Sequence, residues 1–135
     1  MKSRDSLIRL KKFQVDEKRR QLMAIEMMVA DFNRMANELD LQIKSEQERS
    51  GITDVGHFAY PTFAKAAITR RDNLLQSADD LSGQFEDAQN ALSEAVEELK
   101  KVELLEERDQ SRVRAEAEAA EQEELDEMAL RVVSR

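Results

Sequence analysis

The sequence has no cysteine and no tryptophan, one proline (Pro61) and three glycines (Gly51, Gly56 and Gly83) in 135 residues. Without cysteine it can form neither disulfides nor thiolate metal sites, which suits a reducing compartment. So few glycines and prolines exclude a fold of many strands and tight turns, because such turns need residues of special backbone geometry. Aromatic residues make up only 4% of the chain, too few for a wide globular core. No apolar run approaches the roughly 20 residues of a membrane span, or the apolar core of a secretion signal. The chain is therefore expected to be soluble and cytoplasmic, without stable membrane insertion.

Charge is what the sequence has in abundance. Charged residues make up 37%, the formal net charge is −8 and the pI is about 4.8. An acidic chain is repelled by phosphate backbones, so nucleic acid is excluded as a main partner. Such a charged composition is also compatible with disorder, but the apolar residues recur with a fixed period. Ile8, Val15, Leu22, Val29, Ala36 and Ile43 fall seven residues apart. Lys11, Lys18, Ile25, Phe32 and Leu39 each follow three residues later, which gives the a and d positions of a coiled coil. Met28 and Met35 flank that seam. A second seam runs through Ala67, Leu74, Ala78, Leu81, Phe85, Ala88, Leu92, Ala95, Leu99 and Val102, interrupted by Arg71. Gly83 lies beside it, a local weak point in a helix. From Glu106 the seam turns polar, and Leu125, Met128, Leu130 and Val132 restore apolar character at the end.

The fold class expected is all-α, one domain of two long helices forming an antiparallel coiled-coil hairpin. Helix one spans about 3–50 and helix two about 62–133. The tip, 51–61, is where glycine and proline cluster. Gly51 suits the left-handed position that ends a helix, and Pro61 or Thr62 suits the start of the next. Folding back buries both seams within one chain, so a monomer is expected. The charges agree with this. Residues 1–20 carry eight basic and three acidic side chains, and residues 103–127 carry eleven acidic and three basic ones. An antiparallel pairing sets Arg4 near Asp109, and Lys11 near Lys101 and Glu103. A parallel dimer would instead set Lys11 and Lys18 against their own copies.

Chemistry-bearing motifs are absent. His57 stands alone, with no nucleophile spaced to use it. There is no glycine-rich phosphate loop, no metalloprotease signature and no calcium loop. Glu97-Glu98, Glu106-Glu107 and Glu123-Glu124 are neighbours in sequence and diverge by about 100° on a helix, so they are solvated faces and not acid/base pairs. No enzyme, metal or cofactor is expected. Met23, Met27 and Met28 suit packing at and beside the seam. Phe13 and Leu41 fall on the outer face, while Phe58, Tyr60 and Phe63 cluster at the tip, where they either close the turn or meet a partner.

Three stretches carry a resemblance: the start Met1-Lys-Ser-Arg-Asp-Ser-Leu-Ile-Arg-Leu, the run Phe13-Gln-Val-Asp-Glu-Lys-Arg-Arg, and the tip Gly51-Ile-Thr-Asp-Val-Gly-His-Phe-Ala-Tyr-Pro-Thr-Phe. With Glu97-Glu-Leu-Lys-Lys-Val-Glu, they make the chain similar over nearly its whole length to the FliJ family of the bacterial flagellar type III export apparatus, in its alphaproteobacterial form. The resemblance implies a stalk-like adaptor. Its partners would be the export ATPase ring, the cytoplasmic domain of the export-gate platform, and ATPase regulator and export chaperones. It would sit in the cytoplasm, peripherally at the inner-membrane export apparatus, and help couple ATP hydrolysis to export. By the motif Tyr60-x-x-Phe63, Phe63 matches an aromatic platform contact and Leu41 an apolar one, with Phe58 and Tyr60 beside them. Ala67 and Arg70 depart from the family pattern, being smaller and charged. At the open end, Arg4 and Arg9 would meet acidic loops of the ring, and Leu125, Met128 and Val132 would form an apolar stripe for it. A general coiled-coil scaffold, or a chaperone for export substrates, is the alternative.

Overall fold

A computed structural model describes residues Ser3 to Ser134; Met1 and Lys2 of the basic start, and Arg135, lie outside the described residues. The described residues form two helices and no strand: α1 (Ser3–Ser50) and α2 (Thr62–Val133). They pair as an antiparallel hairpin, all-α as the two seams require. Contacts divide the chain into two compact units, one of Asp16–Ser93 with the tip, the other of Met1–Val15 and Glu94–Arg135 with both ends.

In the tip unit, every a and d residue of α1 from Leu22 to Ile43 is buried or half-buried. On α2 the inward positions are Ala64, Ala67, Arg71, Leu74, Ala78, Leu81, Phe85, Ala88 and Leu92, again in unbroken 3–4 spacing. Ala64 extends the seam one step beyond the sequence reading. Its single methyl gave no apolar signal beside Phe63, although it is fully buried. No large side chain is fully buried, and the buried apolar residues are mostly alanines. Two helices cannot surround a side chain, so each seam layer is covered on one side and half open on the other.

The level of the pairing is set by named contacts. Arg71 Nη1 donates to Asp40 Oδ1 at 2.9 Å across the helices. Arg71 thus occupies an inward position by pairing with an acid while its methylenes run along the seam. Asp40 lies below the usual carboxylate range, first through the hydrogen bond from Lys44 and then through that from Arg71. α1 ends as its sequence prescribes. Gly51 has φ +70°, and its N–H donates to Gln47 O at 2.9 Å. That left-handed turn satisfies a carbonyl the helix would otherwise leave unpaired. At the other side of the tip, Thr62 is the first helical residue, and the Pro61 carbonyl accepts from Lys65 N–H at 3.1 Å.

In the unit of the two ends, Val15 and Ala95 are buried, and Ile8, Leu99 and Val102 are half-buried. Lys11 Nζ donates to Glu98 Oε2 at 2.9 Å. The expectation had been Lys101 and Glu103. The ammonium turns instead toward the carboxylate one turn nearer the tip, and so avoids Lys101. Glu98 is correspondingly held below its usual range by the hydrogen bond and charge of Lys11, with Lys101 adding to it.

Candidate protein-binding surfaces

At the tip, local hydrogen bonds fix an irregular loop. Asp54 Oδ1 accepts from Gly56 N–H at 3.0 Å, an aspartate turn, and Asp54 O accepts from His57 N–H at 3.0 Å. His57 Nδ1 accepts from Ala59 N–H, and His57 O from Tyr60 N–H, both at 3.0 Å. The lone histidine therefore shapes the turn. Its ring also stacks on Phe58, centroids 4.7 Å apart.

These bonds sort the tip aromatics into two kinds. Tyr60 is only 7% exposed, and its hydroxyl accepts a hydrogen bond from Gln47 Nε2 at 3.0 Å. It closes the turn against α1, and the sequence grouped it with the surface residues only because an aromatic side chain in a loop reads the same either way. Phe58 is 96% exposed and Phe63 is 56% exposed. Leu41 on α1 is 61% exposed. The Asp40–Arg71 pair puts Leu41 level with Arg70, so Phe63 stands about two turns nearer the tip, roughly 10 Å along the helix. They are two separate exposed apolar side chains and not one continuous patch. Ala67, which departs from the family pattern, is buried in the seam and presents nothing outward.

At the ends, Arg4 Nη1 donates to Asp109 Oδ2 and lies 3.5 Å from Glu106 Oε2. Asp109 is held below its usual range, first by that hydrogen bond, and the guanidinium is raised reciprocally. Arg4 is thus engaged by its own chain, because α2 offers it two acids at inward positions. Arg9 stays exposed. Beyond Asp109 every described α2 residue is exposed. Leu125, Met128 and Val132 lie on one face of it by their 3–4 spacing. Phe13 is exposed as its outer-face position requires, and Leu10, at a c position, is an exposed apolar residue that the sequence reading did not single out.

No helix of the described residues is long and apolar enough to cross a membrane, and none of their His, Asp or Glu groups is arranged to hold a metal ion. The described surface is thus two long helices with exposed aromatic and aliphatic side chains among charged ones. A family model described as Flagellar FliJ protein matches residues 1–135, the whole chain. The chain belongs to the FliJ family. It is accordingly a component of the bacterial flagellar protein export apparatus, acting in flagellum biogenesis. No curated protein and no solved structure matches it. For a FliJ-family chain, the exposed points above are the places to look for contacts with that apparatus.

Proposed function

We propose that the chain is a stalk-like adaptor that binds the export ATPase ring through its open end and the cytoplasmic domain of the export-gate platform through its tip, coupling ATP hydrolysis to export. ATPase regulator and export chaperones would be further partners. The protein acts as a monomer in the cytoplasm, peripherally at the inner-membrane apparatus, and by binding alone. The observation that carries this reading is the α2 arm. After Asp109 it continues to Val133 with no helix beside it, about 36 Å at the usual rise. A preformed helix reaching past its hairpin suits insertion into a ring, because its ordering cost is already met before binding.

Leu125, Met128 and Val132 are the apolar contacts of this arm, with Arg9 beside the start of α1. Arg4 is a structural clamp for the α1 start and not a ring contact. Leu41, Phe58 and Phe63 are the platform contacts, and Tyr60 holds the loop that presents two of them. Removal of residues 125–135 tests the reading. The shortened chain should keep its hairpin by circular dichroism and lose most of its stimulation of the ATPase. Undiminished stimulation would place the ring contact elsewhere. A scaffold that only self-associates would show a dimer or tetramer mass in light scattering.

A further inference from the structure

The seam does not stop where α1 stops. Continuing the inward 3–4 spacing of α2 beyond Val102 gives Glu106, Asp109, Val113, Glu116, Ala120, Glu123, Glu127 and Leu130. Five of these eight positions are acidic. The first two are met by Arg4, and about two turns deeper Lys11 takes Glu98. α1 thus supplies a cation to each of these three acids. Past Asp109 the acids continue, and every one of them is exposed. Glu106 marks the change. It is only 7% exposed; its Oε1 accepts from Gln110 at 3.2 Å, while Oε2 has no hydrogen bond. Glu106 lines a cavity of about 390 Å³ together with Asp109, Gln110, Arg112, Val113 and Arg114. Its Oε2 is held only by the 3.5 Å ion-pair contact with Arg4, which leaves room for a closer donor.

We propose that the α2 arm is one strand of an unfinished coiled coil, and that a basic amphipathic helix of another protein completes it. The helix starts beside Glu106 and sets Lys or Arg against Glu116, Glu123 and Glu127, with apolar residues against Val113, Ala120 and Leu130. Charge selects this occupant. From Glu116 to Glu127 the arm has seven acidic residues and no basic one, so an acidic or neutral helix would leave like or unpaired charges in the seam. A second copy of this chain is a poor occupant, because its own Arg4 and Lys11 are already held by its own α2. This face is also separate from the stripe assigned above to the ring. Leu125, Met128 and Val132 lie about 140° around the helix from it, so the two contacts can be broken one at a time.

The test uses the full chain and a synthetic helix of about four heptads with Ile at a and Lys at d, together with its twin carrying Glu for Lys. Fluorescence anisotropy should show the Lys peptide binding, more weakly as salt rises, and the Glu peptide not binding. Glu116→Lys combined with Glu123→Lys and Glu127→Lys should weaken the Lys peptide by at least about tenfold and create binding for the Glu peptide. Glu106→Gln should weaken the Lys peptide by about threefold. Leu125→Ser with Met128→Ser should leave peptide binding unchanged even if ATPase stimulation is lost, which separates this inference from the ring assignment. Circular dichroism of each variant checks that the helices persist. Equal affinity for both peptides, or Lys-peptide binding untouched by the triple reversal, would overturn the proposal. So would a doubled mass of the chain alone that the triple reversal abolishes, since the occupant would then be a second copy.

Discussion

Replacing Phe63 and Leu41 together by alanine removes two side chains that stand out from the tip unit. An aromatic side chain carries about 150–250 Å² of surface. With 56% of Phe63 exposed, about 85–140 Å² remains for a partner to cover, worth roughly 2–3.5 kcal/mol at about 25 cal/mol per Å². Leu41, 61% exposed, adds about 1–2 kcal/mol on the same scale. Ordering of side chains and imperfect desolvation consume part of this gross figure. A loss of at least about 1.4 kcal/mol should survive, which is tenfold in Kd. Titration of the platform's cytoplasmic domain by calorimetry measures it, and motility of cells carrying the variant should fall in parallel. Because the two residues stand about two turns apart, their single-variant losses should add. The hairpin should persist, since Leu41 faces away from the seam and Tyr60 with Gln47 still closes the loop. Unchanged affinity would refute the assignment. Helicity falling in step with binding would refute it too, by making Phe63 a plug of the turn.

Leu81→Ala and Phe32→Ala should each lower stability by about 2–4 kcal/mol, toward the lower end because both are only half-buried, whereas Glu123→Ala on the arm should cost under about 0.5 kcal/mol; equal thermal midpoints would refute the seam. Gly83→Ala should raise stability by up to about 1 kcal/mol, since a methyl there meets no atom within 4 Å in mid-helix, and Gly51→Ala should lower it by about 1 kcal/mol because its φ of +70° opposes a side chain. Acid should destabilise the hairpin. Asp40, Glu98 and Asp109 have carboxyls lowered by Lys44 and Arg71, by Lys11 and by Arg4, so the unfolded chain binds their protons first. Their contribution is complete above the ordinary carboxylate range and is lost as pH falls below about 4. Melting curves between pH 7 and pH 3 should show the decline, and Asp40→Asn should make it shallower; a midpoint that stays level or rises in acid would refute the assigned pairs.

The sequence by itself determined the helices and their antiparallel pairing. Seven-residue spacing survives without any knowledge of the partner, because a side chain's direction on a helix depends only on its position in the count. The ends of α1 were equally local: Gly51 announces a left-handed residue wherever it stands after a long helix. Arg4 with Asp109 was legible because opposite charge at matching heights is a one-dimensional property. The tertiary structure decided what depends on where a side chain goes after leaving its own helix. It turned Lys11 to Glu98, drew Tyr60 inward to Gln47, and set Leu41 two turns from Phe63 through the Asp40–Arg71 level. It hid Ala64 in the seam beside Ala67, where small residues let two helices approach closely. It also set Arg4 between Asp109 and Glu106, with Glu106 Oε2 held at 3.5 Å. The periodicity of a sequence fixes which face a residue occupies, but whether that residue stays available to a partner is settled by what the opposite helix has already taken.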